Sequence, residues 1–95
     1  MSATSREGVV IVGSKPPLNY VTACLSLFNS GAAEVKIRAR GQAICRAVDV
    51  VGLLRKGFVK DLKVRDISIG TQEFNLAGRS SRVSTMDIVL LKPDK

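Results

Sequence analysis

The apolar positions along the chain change their spacing several times, and each change marks a new element. Residues Gly8 to Val12 form an uninterrupted β-branched run, which predicts a strand buried on both faces at or near the centre of a sheet. After Pro17, which suits the first position of a helix, apolar residues recur every three or four positions until Ser30-Gly31. The predicted core positions of this helix are Leu18, Val21, Leu25 and Phe28, with Cys24 beside them.

A second strand and a second helix follow in the same way. Ala33 to Arg40 alternates with the period of a strand, and Gln42 to Lys56 has the period of a helix that ends at Gly57. The predicted core stripe of this helix is Ile44, Ala47, Val48, Val51 and Leu54.

Two more alternating segments, Leu62 to Phe74 and Arg82 to Lys92, predict an antiparallel hairpin that turns at Gly78. The apolar parity of the first segment changes before Ile67, so we expect a β-bulge near Arg65 and Asp66. The outer half of the hairpin is polar and has little to bury. We therefore expect it to project as an arm of about 20 Å.

The predicted order is β-α-β-α-β-β. A strand, helix, strand unit implies a right-handed crossover with parallel pairing, and both helices must cover one face to share a core. The expected fold is an α/β (α+β) two-layer sandwich with a projecting C-terminal hairpin. With 45% hydrophobic residues, residues 8–95 are long enough for one domain, and residues 1–7 are predicted to be a mobile tail.

The positive charge is concentrated in the middle of the chain. Residues 34–65 carry nine bases and three acids, hence +6 of the formal +7. Such a local excess favours a polyanionic partner, although a basic balance can also serve solubility alone. The chain has no apolar run of membrane-spanning length and no signal segment, so we expect an intracellular protein without a membrane partner.

One segment combines these charges with a layout for phosphate binding. The alternation in Val35 to Arg40 places Lys36, Arg38 and Arg40 on one side of a strand. Gly41 then allows a sharp turn into a helix, whose N-terminal N–H groups and dipole attract anions. This arrangement, with Arg46 in the helix, predicts contact with nucleic-acid phosphates.

Two further groups of cations lie outside this segment. Gly8 to Lys15 has a superficial similarity to a P-loop, but Ser14 and Lys15 are in the reverse order, so we expect no nucleotide hydrolysis and keep Lys15 only as a cation. Arg79 and Arg82 flank the hairpin turn. An arginine on a narrow projecting ribbon is shaped to enter a DNA minor groove, although a loop arginine is often only solvated.

An enzyme is not expected. The chain has no histidine, and its acidic residues show no paired spacing, so no catalytic constellation, cofactor or metal site is predicted. Cys24 and Cys45 match no metal spacing and are expected to be buried small hydrophobes. The sequence leaves open whether they form a disulfide.

Three motifs occur together in this order: Lys15 to Val21 (KPPLNYV), Arg38 to Ile44 (RARGQAI) followed by Ala47 to Asp49, and Ser81 to Thr85 (SRVST). With them the chain resembles the Alba family of archaeal chromatin proteins over residues 8–92. The resemblance implies a fold shared with the C-terminal domain of a bacterial translation initiation factor. It also implies a cytoplasmic, chromosome-associated homodimer that straddles double-stranded DNA or RNA with little sequence preference.

Carried onto this sequence, the resemblance implies the following nucleic-acid contacts: Ser14, Lys15, Pro16, Tyr20, Arg38, Arg40, Gly41, Gln42, Arg46, Arg79, Ser80 and Arg82. Phe58 corresponds to an aromatic residue through which neighbouring dimers meet in a filament, and the alternative is that it caps the core. Ser14 stands where the family often has an acetylated lysine. Gln42 stands where the family often has a basic residue. Acetylation at position 14 is therefore not expected.

Two other functions are compatible with the sequence. One is an RNA-binding module or ribonucleoprotein subunit, and the other is a protein-interaction domain whose basic face only aids solubility. The sequence leaves open whether DNA or RNA is the main ligand and whether a paralogous chain replaces one copy in the dimer.

Overall fold

A computed structural model of the chain describes residues 7–92 and has the predicted element order. The elements are β1 (Glu7–Ile11), α1 (Pro17–Asn29), β2 (Glu34–Arg40), α2 (Ala43–Leu53), β3 (Lys63–Leu76) and β4 (Arg79–Leu91). The tail predicted for residues 1–7 lies outside the described residues, except that Glu7 opens β1. Neither α1 nor α2 is long and apolar enough to cross a membrane.

The four strands form one sheet in the order β1-β2-β4-β3, with β1 and β2 parallel and the other pairs antiparallel. Val35, Ile37 and Ala39 of β2 are buried in the core that α1 and α2 share, as the two-layer prediction requires. Because β1 and β2 are parallel, the loops that lead into the two helices lie at the same end of the sheet. We call this end of the sheet the arm end, because β4 enters the sheet there from the hairpin. The opposite end of the sheet is called the far end.

The position of β1 differs from the prediction. It is an edge strand that pairs only with β2 among the described strands, and its buried residues alternate with exposed ones. Val9 and Ile11 are 52% and 69% exposed, because the helices cover only one face of the sheet. An apolar run of five residues does not distinguish a doubly buried strand from an edge strand with one open face.

The observed helices differ from the prediction in their buried residues and in the end of the second helix. Leu18 and Val48 are exposed, whereas Val50 is fully buried. Gly57 does not end the second helix, because a turn of π-helix (Leu54–Phe58) continues α2. The Val59 N–H donates to the Leu54 carbonyl at 2.6 Å and closes this turn.

The hairpin is longer and its turn shorter than expected. The register shifts between Val64 and Asp66, which confirms the predicted bulge. Only Ala77 and Gly78 form the turn, with φ of 50° and 77°, as in the two-residue hairpin turns whose twist matches that of the strands. Strand β4 pairs with β2 only from Thr85 onward. On the turn side of Thr85, residues 71–76 of β3 and 79–84 of β4 pair only with each other. The predicted arm is therefore confirmed and measures about 20 Å along its six residues.

The two cysteines lie in different environments, and both are free thiols. Cys24 is buried as predicted, whereas Cys45 is exposed, which corrects the expectation for the second. Burial raises the pKa of the Cys24 thiol to about 12. We expect an alkylating reagent at pH 8 to label Cys45 alone in the native protein and both thiols in denaturant, as counted by mass spectrometry. Native labelling of Cys24 at the same rate would contradict the packing described.

Candidate nucleic-acid interface

The loop between β1 and α1 is held in place by both helices. The Tyr20 hydroxyl accepts hydrogen bonds from the N–H groups of Gly13 at 2.9 Å and Lys15 at 3.1 Å. From α2, Nη1 of Arg46 donates to the Gly13 carbonyl at 3.0 Å. Tyr20 and Arg46, both predicted as nucleic-acid contacts, thus fix the backbone that presents the exposed Lys15 side chain.

Replacement of Tyr20 by phenylalanine tests the two hydrogen bonds that the hydroxyl accepts in this loop. The aromatic ring stays, and only the acceptor of the two N–H groups is removed. We expect the free energy of unfolding to fall by about 1 kcal/mol, since each such bond has a modest net worth at a partly solvated site. Amide hydrogen exchange at Gly13 and Lys15 should accelerate. Unchanged exchange at these two amides would show that the hydroxyl does not order the loop.

The last residue of β2 reaches across to the base of the arm. Nη1 of Arg40 donates to Oε1 of Gln72 at 3.0 Å, and its guanidinium lies 5.8 Å from the centroid of the Phe74 ring. A hydrogen bond at one edge and an aromatic ring below one face restrict a planar guanidinium without neutralising it. Arg40 is therefore a positioned cation with donors left for an anion.

Gly41 makes the predicted sharp turn into α2. Its φ of 60° lies in the left-handed region, and its N–H donates to the Ser84 carbonyl at 2.8 Å, which ties the turn to β4. Gln42 stands at the N-cap without a side-chain capping bond, and no acidic residue lies in the first helical turn. The Ile44 N–H donates to the Gly41 carbonyl at 3.1 Å. The other N-terminal N–H groups and the positive dipole end of α2 remain available to an anion.

These features surround one open groove. Its volume is about 670 Å³, and it runs from Gly13 across Arg40 and Ala43 to Gln72 and Thr85. The loop after β1, the end of β2, the start of α2 and the base of the arm therefore form one surface at the arm end.

Arg38 differs from Arg40 although both lie on the same face of β2. Its Nε and Nη2 donate to the two carboxylate oxygens of Asp87 at 3.1 and 3.4 Å. This hydrogen bonding, and then the charge of the carboxylate, raises the pKa of Arg38 further above its ordinary value. Since Asp87 balances its charge locally, Arg38 should attract phosphate less than Arg40 does.

The arm presents the remaining predicted contacts. Arg82 lies opposite Glu73 across the two strands, with Nε and Oε2 3.7 Å apart. Arg79 and Ser80 directly follow the turn at Gly78 and are exposed. Among the described side chains, no carboxylate makes an ion pair with Lys15, Arg40 or Arg79. Lys15, Arg40 and Arg79 are therefore exposed cations of the arm end without a described carboxylate partner. The half-buried Arg46 also lacks such a partner, but its guanidinium is held by the Gly13 carbonyl.

Gln72, Phe74 and Asp87 were not predicted as part of this surface. Gln72 is 32 positions from Arg40, and Asp87 is 49 positions from Arg38. Their partners follow from the strand register, which places Gln72 two residues beyond the end of β2 and Asp87 opposite Arg38. No periodicity in the sequence specifies these pairings.

Two curated relatives are similar to nearly the whole chain. DNA/RNA-binding protein Alba 1 of Archaeoglobus fulgidus is 50% identical over 86 residues, which are 90% of this chain and 97% of that protein. DNA/RNA-binding protein Alba of Methanothrix thermoacetophila is 49% identical over 88 residues, which are 93% of this chain and 99% of that protein.

Solved structures agree with the fold. Alba from Thermoplasma volcanium superposes with a TM-score of 0.81 at 38% identity, over 87% of this chain and 98% of that one. ALBA1 from Trypanosoma brucei gives a TM-score of 0.75 at 30% identity, over 90% of this chain and 69% of that one. The Alba family model matches residues 8–71. The resemblance read from the three motifs is thereby confirmed, and the chain belongs to the Alba family.

Proposed function

We propose that this protein is a sequence-neutral, architectural double-stranded DNA-binding protein that acts as a homodimer and coats, compacts or bridges DNA in a chromosome-associated role in the cytoplasm. The observation that carries the proposal is the arm end. Lys15 and Arg40, without a described carboxylate partner, flank an uncapped helix start, and an arm tipped by Arg79 projects from the same end. Relatives named for DNA and RNA binding support a nucleic-acid ligand.

The groups at this surface suit phosphates rather than base edges. Lysine, arginine and helix N–H groups bind phosphate without reading sequence. The arm is a two-stranded ribbon of the width that enters a groove, and Arg79 next to its turn can follow the minor groove. Family membership also confirms the expectation that the chain is not an enzyme.

An apolar patch on the helix side of the sheet supports the homodimer. Ile67 and Ile69 of β3 are 55% and 78% exposed, and their cross-strand partners are the apolar residues Ile88 and Met86. Val48 follows Arg46 by two residues, which is about 200° around the helix. Because Arg46 faces the loop after β1 at one edge of the sheet, Val48 faces the opposite edge, where β3 lies. This patch, Val48, Ile67 and Ile69, adjoins the core and fits a second copy of the chain.

Phe58 supports contacts between neighbouring dimers along DNA. Its side chain is 53% exposed at the end of the π-helical turn, so it does not cap the core. An exposed aromatic ring in a position that the resemblance assigns to contacts between dimers fits filament formation.

Sequence neutrality is tested with two unrelated DNA duplexes of equal length at one salt concentration. We expect their dissociation constants to agree within about threefold, because phosphate contacts are the same on every sequence. A tenfold preference for one duplex would contradict the proposal.

RNA is the second candidate ligand, because both relatives are named as DNA/RNA-binding proteins. Competition between a DNA duplex and the RNA duplex of the same sequence separates the two roles. If DNA is the main ligand, it should displace RNA at equal concentration. Clear displacement of DNA by RNA would assign the protein to an RNA-binding role.

A further inference from the structure

The tip of the arm carries a leucine that is exposed to solvent. Leu76 is the last residue of β3, lies opposite Arg79 and is 70% exposed. Ile69 and Phe58 are also exposed, but they belong to the proposed contacts between copies, on the β3 side and at the far end. A single exposed leucine is ordinary on a protein surface, so its surroundings decide whether it has a role.

The two faces of the arm differ in composition, because side chains alternate between them along each strand. One face is polar throughout and contains the ion pair of Glu73 and Arg82. The other face, which we call the Leu76 face, is formed by Gln72, Phe74, Leu76, Arg79, Ser81 and Val83. All the apolar side chains of the arm therefore share one face.

The cations of the Leu76 face attract a polyanion. Arg79 lies at the tip opposite Leu76, and Arg40 lies at the base with its guanidinium 5.8 Å from the centroid of the Phe74 ring. Neither arginine has a described carboxylate partner. Among residues 71–84, the one acidic side chain, Glu73, lies on the polar face. A duplex with its phosphates on these arginines therefore meets the Leu76 face, and the leucine comes to lie between the two backbones.

The shape of the arm lets this leucine reach the base pairs. The arm projects by about 20 Å, and only Ala77 and Gly78 form its turn, so no bulky loop lies in front of Leu76. Leucine has no group that could hydrogen-bond to the base edges of a minor groove. An apolar side chain at this depth is accommodated by insertion between two base pairs, which unstacks them and bends the duplex. Such an insertion reads no hydrogen-bond pattern and is compatible with sequence neutrality.

We propose that Leu76 is a wedge that inserts between adjacent base pairs from the minor groove and bends the DNA duplex. The inference rests on the proposed function in one respect, namely that the arm follows the minor groove of a duplex. It adds an activity, DNA bending, and assigns it to a residue that is not among the contacts implied by the family resemblance.

Energy transfer between the labelled ends of a duplex of about 25 base pairs measures the bend. Wild-type protein is compared with Leu76→Asn and with the exchange variant Asn75→Leu, Leu76→Asn, which keeps composition and charge but moves the leucine to the polar face. Wild type should raise the transfer, since a wedge kinks a duplex by about 20–90°, and both variants should lose at least about two thirds of that rise. Val9→Asn removes an apolar side chain that is 52% exposed on β1 and should bend the duplex as wild type does.

A duplex with two central mismatches gives an independent readout, because its base pairs are already partly unstacked. Wild type should bind it at least about fivefold more tightly than the matched duplex, whereas both Leu76 variants should bind the two within about twofold. The affinity of these variants for the matched duplex should stay within about threefold of wild type, because their phosphate contacts are unchanged.

Three outcomes would overturn the inference. Bending by both Leu76 variants at the wild-type level would assign the bend to other groups. Wild type that binds the duplex without a rise in energy transfer would exclude a wedge while leaving the proposed function intact. A smaller molecular mass of Leu76→Asn in light scattering without DNA would reassign the leucine to a contact between copies. Wild type that fails to bind the duplex would refute the proposed function and, with it, the inference. Circular dichroism melting verifies that all variants fold.

Discussion

Replacement of Ile67 and Ile69 by lysine should convert the proposed dimer into a monomer. Each buried isoleucine contributes about 1.5–3 kcal/mol, so removing both from an interface weakens association by at least about a hundredfold. The loss of one of two linked half-sites should then reduce duplex affinity by about a hundredfold. The expected loss occurs although the variant gains two positive charges, which by themselves would favour DNA. Light scattering after size exclusion gives the mass, and fluorescence anisotropy gives the affinity.

The chain offers a closely matched control in Val9→Lys with Ile11→Lys. These residues are exposed to a similar degree, on the edge strand at the other side of the sheet. On the open face their neighbours in β2 are Lys36 and Arg38, so the surface there is charged rather than continuously apolar. This variant should remain dimeric. A monomeric control together with a dimeric Ile67 and Ile69 variant would move the interface to the open sheet face.

The second large effect is expected when Lys15 and Arg40 are both replaced by alanine. In the proposed complex each of the two cations neutralises one phosphate per chain, so a dimer that carries both changes neutralises four fewer phosphates. The slope of log affinity against log salt should become shallower by about 0.9 for each phosphate that is no longer neutralised. Affinity near 0.15 M salt should fall by at least about a hundredfold, and by a similar factor for every duplex sequence.

Arg38→Ala is the control for this experiment, since it removes the same formal charge from the same face of β2 as Arg40→Ala. Arg38 is already paired with Asp87, whereas Arg40 is held by the neutral Gln72 and Phe74. The slope should therefore stay within experimental error in Arg38→Ala. An equally shallow slope in the two single variants would show that the ion pair opens on binding, and that both arginines reach phosphates.

Much of the fold could be predicted because its signals are local. The helix from Pro17, the turn at Gly41 and the bulge before Ile67 each follow from the residues in and beside them. The edge position of β1 could not be predicted, because it depends on β4 pairing between β2 and β3, far away in the chain. The exposure of Val48 has the same origin, since the helix period does not reveal that β3 extends beyond the helical layer.

In the candidate site, too, some residues have local sequence signals and others depend on contacts between distant parts of the chain. Arg40 and the start of α2 were expected from a strand, a glycine and a helix in succession, whereas Lys15 was assigned to the site by the family resemblance. The different states of Arg38 and Arg40 were not, because the ion pair with Asp87 and the position of the Phe74 ring near Arg40 depend on strand register. The roles of Tyr20 and Arg46 in holding the β1–α1 loop likewise required the packing of both helices.

The most direct test of the central claim is the salt dependence of binding to one DNA duplex, with its RNA counterpart and an unrelated DNA duplex measured in parallel. The three exposed cations per chain without a carboxylate partner, Lys15, Arg40 and Arg79, doubled in the proposed dimer, predict a slope of about −5 for both DNA duplexes. Their affinities should be equal, and at least as high as that for RNA. A slope shallower than about −2, or a tenfold difference between the two DNA duplexes, would contradict sequence-neutral binding through phosphates. Clearly tighter binding to RNA would contradict DNA as the main ligand.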